Sequence, residues 1–329
     1  IDWRTFDGKT ILVTGATGLI GSAIVNALVY YGMRSDDPPH IIAQVRNEEK
    51  AQLMLGAQKS QYEGLVFLYA DVTEFPEIEG EVDYIIHSAS PTASKIFVNS
   101  PVETISANII GTVNLLKLAI KKESRGFIYL SSMEVYGVHK KGERVTEDDI
   151  GTFDPVKSRS SYPLGKLASE CMCASYAAEY GVPAKIIRLA QTFGPGVPPD
   201  DTRVFAEIAR GVMSGTDMVL RTTGESAHSY LYTMDAVSAT LMVLLKGENG
   251  QGYTAANEDT YCSIADMAKM VYKEFGNGRC KVVFDIGNLD RLGYAPASCL
   301  DLDTSRIGSL GFKPHYNLID MYRNMMDTF

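Results

Sequence analysis

The sequence is poor in the features that mark secreted, metal-clustered and membrane-spanning proteins. Its 329 residues include five cysteines, an odd number whose spacing fits neither a disulfide framework nor a metal knuckle, which favours reduced packing cysteines. No apolar run approaches the roughly 20 residues that span a bilayer, and residues 1–4 lack a signal-peptide pattern. A net charge of −9 counts against affinity for nucleic acid or an anionic membrane. We therefore expect a cytoplasmic protein with no metal, no nucleic-acid partner and no membrane partner.

The sequence does contain a regular alternation of apolar runs and helical patterns. Such strands are buried on both faces, so the alternation predicts an α/β fold with a doubly wound parallel sheet of the Rossmann type. A turn-rich break after residue 190 predicts a smaller C-terminal α/β lobe. We expect a dinucleotide-binding domain at 1–190, joined by a returning segment at 226–250, and a substrate lobe at 191–225 and 251–329. The predicted strands are 10–14, 41–45, 65–69, 82–86, 127–130 and 184–188.

A glycine-rich turn links the first predicted strand to the first predicted helix. Glycines there permit a tight turn and a close approach of backbone to a pyrophosphate, while the helix start offers free N–H groups. Three glycines alone are weak evidence, but their place after the first strand favours phosphate binding. The predicted cofactor contacts in this turn are Gly15, Thr17, Gly18, Leu19, Ile20 and Gly21.

The residues after the second and third strands bear on the choice between NAD and NADP. Arg46 lies where an acidic residue would select NAD, so it fits either a contact to a 2′-phosphate or a solvated surface charge. Asp71 and Val72 are placed to meet the adenine, although Asp71 also suits a loop or helix cap. The sequence leaves NAD and NADP open.

A tyrosine and a lysine four residues apart supply candidate acid–base chemistry. Tyr162 and Lys166 would share one helix face, and a neighbouring ammonium together with an oxidised nicotinamide would favour the phenolate. Tyr162 could then accept the proton of a sugar hydroxyl as hydride leaves. Ser132 follows a strand, where its hydroxyl could orient the reacting oxygen. The combination is far more specific than any one part of it.

Together these motifs resemble the extended short-chain dehydrogenase/reductases, namely the nucleotide-sugar epimerases, dehydratases and decarboxylases. The resemblance implies a Ser132, Tyr162 and Lys166 catalytic triad and a lobe that binds a nucleoside diphosphate sugar. It also implies a homodimer formed through helices near 102–121 and 162–180, whose apolar residues equally suit an intramolecular core. It implies further cofactor contacts at Ser88, Ala89, Ser90 and Asn108, and through Tyr162 and Lys166 themselves. The implied substrate contacts are Ser90, Ser132, Gln191, Thr192, Arg203, His228 and Arg291.

Met133 and Glu134 indicate which branch of this family the sequence resembles. The dehydratase branch, which includes dTDP-glucose 4,6-dehydratase, carries an Asp–Glu pair here, and Met133 cannot donate the proton that the Asp would. UDP-glucuronate decarboxylases keep the Glu, so Glu134 is a predicted catalytic residue, with a surface carboxylate as the alternative. Gln191 replaces a common Asn, and His228 replaces an Arg that holds phosphate, which suggests an unusual sugar or nucleotide.

Four functions follow as competing hypotheses. The leading one is an epimerase or decarboxylase that oxidises the sugar at C4 and returns the hydride within one turnover. The second is an NADPH-dependent 4-keto-sugar reductase, which Arg46 favours, and the third is a 4,6-dehydratase. The fourth is a non-catalytic dinucleotide-binding regulatory subunit, which the complete triad makes the weakest hypothesis. The nucleotide base, the sugar and the product stay open.

Overall fold

Strands and helices alternate through the part of the chain that the computed structural model describes, residues 1–92, 94–286 and 298–329. The strands are β1 (Thr10–Thr14), β2 (His40–Val45), β3 (Leu65–Tyr69), β4 (Tyr84–His87), β5 (Gly126–Ser132), β6 (Arg144–Val145), β7 (Ala184–Leu189), β8 (Gln191–Phe193), β9 (Met218–Leu220), β10 (Ala227–Tyr232), β11 (Gly252–Ala255), β12 (Asn257–Ser263), β13 (Val282–Phe284) and β14 (Cys299–Leu302). The helices are α1 (Leu19–Gly32), α2 (Glu48–Gln61), α3 (Ser94–Asn99), α4 (Pro101–Lys121), α5 (Ser161–Tyr180), α6 (Val204–Ser214), α7 (Thr233–Lys246), α8 (Ile264–Phe275), α9 (Ser305–Ser309) and α10 (Leu318–Met326).

Seven parallel strands form the central sheet in the order β11-β7-β5-β4-β1-β2-β3. The chain builds outward from β1 to β3 and then crosses to β4 on the other side of β1. The order therefore reverses between β1 and β4, and ligands of doubly wound sheets bind at the carboxyl ends of strands beside such a reversal. The predicted α/β class with a doubly wound parallel sheet is confirmed.

Both faces of the central sheet are covered by helices, which explains the continuous apolar strands. Ile11 and Val13 of β1 belong to the core under α1 and α7, whereas Leu12 belongs to the core under α4 and α5. Alternate side chains of a strand point to opposite faces, so each face needs its own apolar residues. No helix within the described ranges is long and apolar enough to cross a membrane.

A smaller lobe is built on a second sheet. Its strand order is β12-β10-β14-β6, with β8 paired to β10, and a separate ladder joins β9 to β13. Helices α6, α8 and α10 enclose an aromatic core in which the Phe193 and Phe205 rings stack at 4.6 Å, with Tyr230 and Tyr322 edge-on to Phe193. Apart from β6, which comes from the preceding part of the chain, the strands and helices of this lobe lie after the turn-rich break that the sequence marks.

The returning segment differs from the predicted 226–250 at both ends. Strand β10 belongs to the smaller sheet, whereas α7 packs on β5 and β7 of the central sheet. Strand β11, at 252–255, then forms the edge of the central sheet, so the predicted boundary at 251 falls before its last strand. A four-residue apolar run carries too little pattern to reveal its sheet, because the pairing partner is set by tertiary contacts.

Candidate active site

The carboxyl ends of β1 and β4 are tied together at the point where the strand order reverses. The Thr14 hydroxyl lies 2.9 Å from Nδ1 of His87, and the Ala89 N–H donates to that hydroxyl at 3.2 Å. The Ser88 hydroxyl donates to the Thr14 carbonyl at 2.6 Å. The two loops therefore form one floor, and predicted cofactor residues Ser88 and Ala89 lie in it.

The glycine turn packs against this floor so closely that side chains would not fit. Gly15 has φ +63°, and a Cβ there would lie 2.7 Å from the Cα of Ala89. A Cβ on Gly21 would lie 2.8 Å from the Ser88 hydroxyl and collide with the Gly15 carbonyl. The turn is thus a cradle that only glycine permits, which fits a pyrophosphate approaching the backbone.

The start of α1 completes this cradle with hydrogen-bond donors. Gly18 precedes the helix in an extended conformation and offers no side-chain cap, so the first-turn N–H groups of Leu19, Ile20 and Gly21 have no intrahelical acceptor. Thr17 lies in the turn beside them. Free N–H groups and the positive end of the helix dipole attract phosphate. The residues present therefore fit a bound dinucleotide.

An ion pair lies beyond β2 and β3, where the adenosine half is predicted. Arg46 contacts Asp71 at 3.3 Å, and Asp71 also accepts bonds from the N–H and hydroxyl of Thr73. Burial raises the pKa of Asp71, but these contacts outweigh it and hold the pKa below its usual range. Asp71 thus has the predicted loop-capping contact and pairs with Arg46, while Val72 is buried. A contact of Arg46 with a 2′-phosphate stays a prediction.

Ser132, Tyr162 and Lys166 come together although they lie on different elements. Ser132 ends β5, and Tyr162 and Lys166 occupy successive turns at the start of α5. The Lys166 ammonium lies 5.7 Å from the Tyr162 ring centre and donates to the Leu130 carbonyl at 2.7 Å. Burial lowers the pKa of Lys166 to about 7. The structure therefore assembles the predicted triad at the carboxyl edge of the sheet.

The phenol of Tyr162 is held neutral by its surroundings. Burial raises its pKa above the ordinary value, and the Glu134 carboxylate raises the pKa further. A hydrogen bond with Ser132 and the charges of Arg159 and Arg203 act in the opposite direction. The sequence predicts that the neighbouring lysine favours the phenolate, but the effect of burial on the pKa of Tyr162 is larger here. Ionisation therefore depends on the positive charge that an oxidised nicotinamide brings.

Glu134 lies beside the predicted triad and forms an ion pair that was not predicted from the sequence. Its N–H donates to the Ser132 hydroxyl at 3.2 Å, and its carboxylate accepts from Arg159 at 2.7 Å. The Phe97 ring stacks on Tyr162 at 4.1 Å. Met133 packs against the large core, so this turn presents one carboxylate. The position of Arg159, three residues before Tyr162, was the available signal.

Asn108 lies behind the cofactor floor. Its amide donates to the Thr104 carbonyl at 2.8 Å, and its oxygen accepts from Ser90 and Tyr129, both at 3.1 Å. Asn108 is fully buried, and a Cβ on Gly165 of α5 would lie 3.3 Å from it. Asn108 thus joins α4 to β5 and α5 and holds Ser90, while its direct contact with cofactor stays a prediction.

Predicted substrate residues of the smaller lobe are spread along β8, α6 and β10. Thr192 donates its hydroxyl to the Ala190 carbonyl at 2.9 Å, and Gln191 is half-buried beside it. Arg203 precedes α6 and is clamped by Asp201, with bonds of 2.5 to 3.1 Å. Its charge still acts to lower the pKa of the Tyr162 phenol.

His228 and Arg291 complete the predicted substrate set. Burial lowers the pKa of His228 to about 4, so its imidazole is neutral near pH 7 and is a weak phosphate clamp. Arg291 lies outside the described residues. Across 1–92, 94–286 and 298–329, no group of three or more His, Cys, Asp or Glu side chains could hold a metal ion.

The sheet, the glycine cradle and the Ser–Tyr–Lys arrangement define a dinucleotide-dependent enzyme of the Rossmann class. Comparison with protein families matches residues 11–257 to the NAD dependent epimerase/dehydratase family. The chain belongs to this family. The predicted family is therefore confirmed, and of the two predicted cofactors the family name specifies NAD.

Individual relatives agree with this membership. UDP-glucuronic acid decarboxylase 6 of Arabidopsis thaliana is 31% identical over 80% of this chain and 74% of its own length. UDP-glucuronic acid decarboxylase 1 of Xenopus tropicalis is 29% identical over 83% of this chain, which spans only 62% of that relative. The crystal structure of UDP-glucose 4-epimerase from Thermotoga maritima has a TM-score of 0.80 at 22% identity and covers 97% of this chain and 98% of its own. This structural likeness shows the shared fold.

Proposed function

We propose that this chain is an enzyme that oxidises a nucleoside diphosphate sugar at C4 and decarboxylates a nucleotide uronic acid. The observation that carries the proposal is the single Glu134 carboxylate beside Ser132 and Tyr162, with Met133 where a second acid would serve dehydration. Relatives 29 to 31% identical are named UDP-glucuronic acid decarboxylases, which supports a uridine nucleotide and a glucuronate.

The site residues divide the chemistry of the first step. A bound NAD would accept hydride from C4 and later return it. Tyr162 accepts the proton of the C4 hydroxyl, and Ser132 hydrogen-bonds to the C4 oxygen. In its protonated form, Lys166 stabilises the Tyr162 phenolate. Oxidation at C4 turns the uronate into a β-keto acid. Its C5–C6 bond can then break, with the electron pair moving toward the C4 oxygen as carbon dioxide leaves, before a proton adds at C5.

Loss of carbon dioxide is favoured over epimerisation because the basic side chains near the site are already paired or neutral. A carboxylate must give up its charge to leave as carbon dioxide, so a cation that holds it would stabilise the ground state and slow the step. Arg159 is paired with Glu134, Arg203 is clamped by Asp201, and His228 is neutral near pH 7. Of these three groups, none offers the substrate carboxylate an unshared charge.

The test uses purified protein, NAD and UDP-glucuronate labelled with carbon-13 at C6. We expect labelled carbon dioxide and a UDP-pentose, with no net reduction of NAD. Tyr162→Phe should lower the rate by about 100-fold or more while NAD still binds. Turnover to the C4 epimer without carbon dioxide would indicate an epimerase, and steady NADPH oxidation with a 4-keto sugar would indicate the reductase. If Tyr162→Phe changes no turnover, a regulatory subunit would replace the enzyme.

The same proposal includes a cytoplasmic homodimer. Support comes from apolar side chains that α4 and the end of α5 leave exposed, at Val102 (69%), Ile110 (45%) and Tyr180 (57%). Apolar surface of this kind on neighbouring helices suits a subunit interface. Light scattering after size-exclusion chromatography should give twice the 36.0 kDa chain mass, and Val102→Asp should shift the protein toward the monomer. A monomeric parent protein would contradict the dimer.

A further inference from the structure

We propose that Arg159 is a positioning residue for Glu134 and Tyr162. It holds the Glu134 carboxylate in place and, through Phe97, covers the outer side of the Tyr162 ring. This inference rests on the proposed function. The Arg159–Glu134 bond is 2.7 Å, and the opposite end of Glu134 is fixed where its N–H donates to the Ser132 hydroxyl. Glu134 is therefore held at two points, one of them on a residue of the triad.

A three-layer stack connects the same guanidinium to the phenol. The Phe97 and Tyr162 rings lie 4.1 Å apart with an interplanar angle of 12°, and the Arg159 guanidinium lies 4.9 Å from the Phe97 ring centre. The Ser161 hydroxyl donates to the Phe97 carbonyl at 3.3 Å, which attaches this ring to the start of α5. Phe97 is 1% exposed and Tyr162 6% exposed, so the stack shields the phenol from water.

The charges around Tyr162 give Arg159 a second effect. Glu134, on the turn after β5, raises the pKa of the Tyr162 phenol, whereas Arg159, just before α5, lowers it. Arg203 at the start of α6 acts in the same direction as Arg159 but shares its charge with Asp201. The other neighbouring groups are Lys166 on α5 and the Ser132 and Tyr129 hydroxyls on β5. Removal of Arg159 therefore leaves an unneutralised carboxylate beside the catalytic base.

A competing role for Arg159 would be to bind the substrate carboxylate directly. The two roles differ in measurable ways. A positioning residue changes the rate and the pH dependence of C4 oxidation with any sugar, including UDP-glucose, which has no carboxylate. A substrate clamp changes KM for UDP-glucuronate and leaves the pH dependence unchanged.

The test compares Arg159→Gln, Arg159→Lys and the control Arg125→Gln in NAD-saturated protein. Arg125 also pairs with a carboxylate, Asp83 at 2.8 Å, but it precedes β5 and so lies at the sheet edge opposite Ser132. Single-turnover NAD reduction would be followed from about pH 6 to pH 10 with both sugars, because the positive charge of bound NAD would lower the pKa of the buried Tyr162 phenol toward this range. Difference absorbance against Tyr162→Phe would report the phenolate without any substrate.

We expect Arg159→Gln to lower the oxidation rate about tenfold and to move the phenolate midpoint up by about one pH unit, with KM within about twofold. Arg159→Lys should restore the midpoint, and so should adding Glu134→Gln to Arg159→Gln. Arg125→Gln should match the parent protein. A tenfold or greater rise in KM for UDP-glucuronate alone, or an unmoved midpoint in Arg159→Gln, would overturn the inference. If no sugar is oxidised, the proposed function fails, while the phenolate titration still decides the role of Arg159.

Discussion

The buried imidazole of His87 should lower the free energy of unfolding of this protein in mild acid. His87 ends β4 with no exposed surface, and its Nδ1 contacts the Thr14 hydroxyl at 2.9 Å. Burial, and then the nearby charge of Lys166, lower the pKa of His87 to about 3, against about 6.5 in an unfolded chain. Below pH 6.5 the unfolded chain therefore binds a proton that the folded chain does not.

The size of this effect follows from the two pKa values. Each pH unit between about 6.5 and 3 costs the folded state roughly 1.4 kcal/mol, so the loss between pH 7 and pH 5 is about 2 kcal/mol. At roughly 2 cal/mol/K of unfolding entropy per residue, that loss lowers Tm by about 3 °C in a chain of this length. Above pH 6.5 the imidazole is neutral in both the folded and the unfolded chain, so His87 causes no further pH dependence of the free energy of unfolding.

The assay compares Tm from pH 5 to pH 8 for the parent protein, His87→Asn and the control His40→Asn, all without NAD. An Asn amide can still reach the Thr14 hydroxyl but does not titrate, so His87→Asn carries a constant packing cost and lacks the acid-dependent loss. His40 lies exposed at the start of β2, and its replacement should leave the pH dependence unchanged. Parallel Tm profiles for the parent and His87→Asn would refute the reasoning.

Two further substitutions test the cradle and the buried ion pair. Gly21→Ala, whose Cβ would lie 2.8 Å from the Ser88 hydroxyl, should weaken NAD binding about tenfold or more by calorimetry, whereas Gly308→Ala, with nothing within 4 Å, should not. Equal NAD affinity in both variants would count against the cradle. Glu170→Gln leaves the Arg188 guanidinium, 2.7 Å away in a pair less than 10% exposed, buried without its countercharge. We expect the free energy of unfolding to fall by about 3–5 kcal/mol and Tm by roughly 4–7 °C. The control Asp285→Asn, in an exposed pair with Arg221, should lower the free energy of unfolding by less than about 1 kcal/mol. Similar Tm values for the two variants would contradict this prediction.

The local sequence pattern was sufficient to predict several elements of the fold. The predicted strand at 10–14 matches β1, and the helix that carries Tyr162 and Lys166 begins within a residue of its prediction. These segments are long or strongly patterned, and their turn chemistry depends on residues close in sequence. The edge strand β11 was missed, because four residues with no distinctive period gain their identity only from pairing with β7.

The sequence by itself determined the doubly wound sheet and the glycine turn after β1, which follow from short-range periodicity and glycine spacing. It also predicted the Ser132, Tyr162 and Lys166 triad, from the four-residue spacing of Tyr162 and Lys166 on one helix, the place of Ser132 after a strand, and the family resemblance. Only the tertiary structure decided that Arg159 pairs with Glu134, that Phe97 covers Tyr162 and that Asp201 occupies Arg203. Charge neutralisation and burial depend on which side chains of separate elements meet, and sequence spacing does not encode those distances.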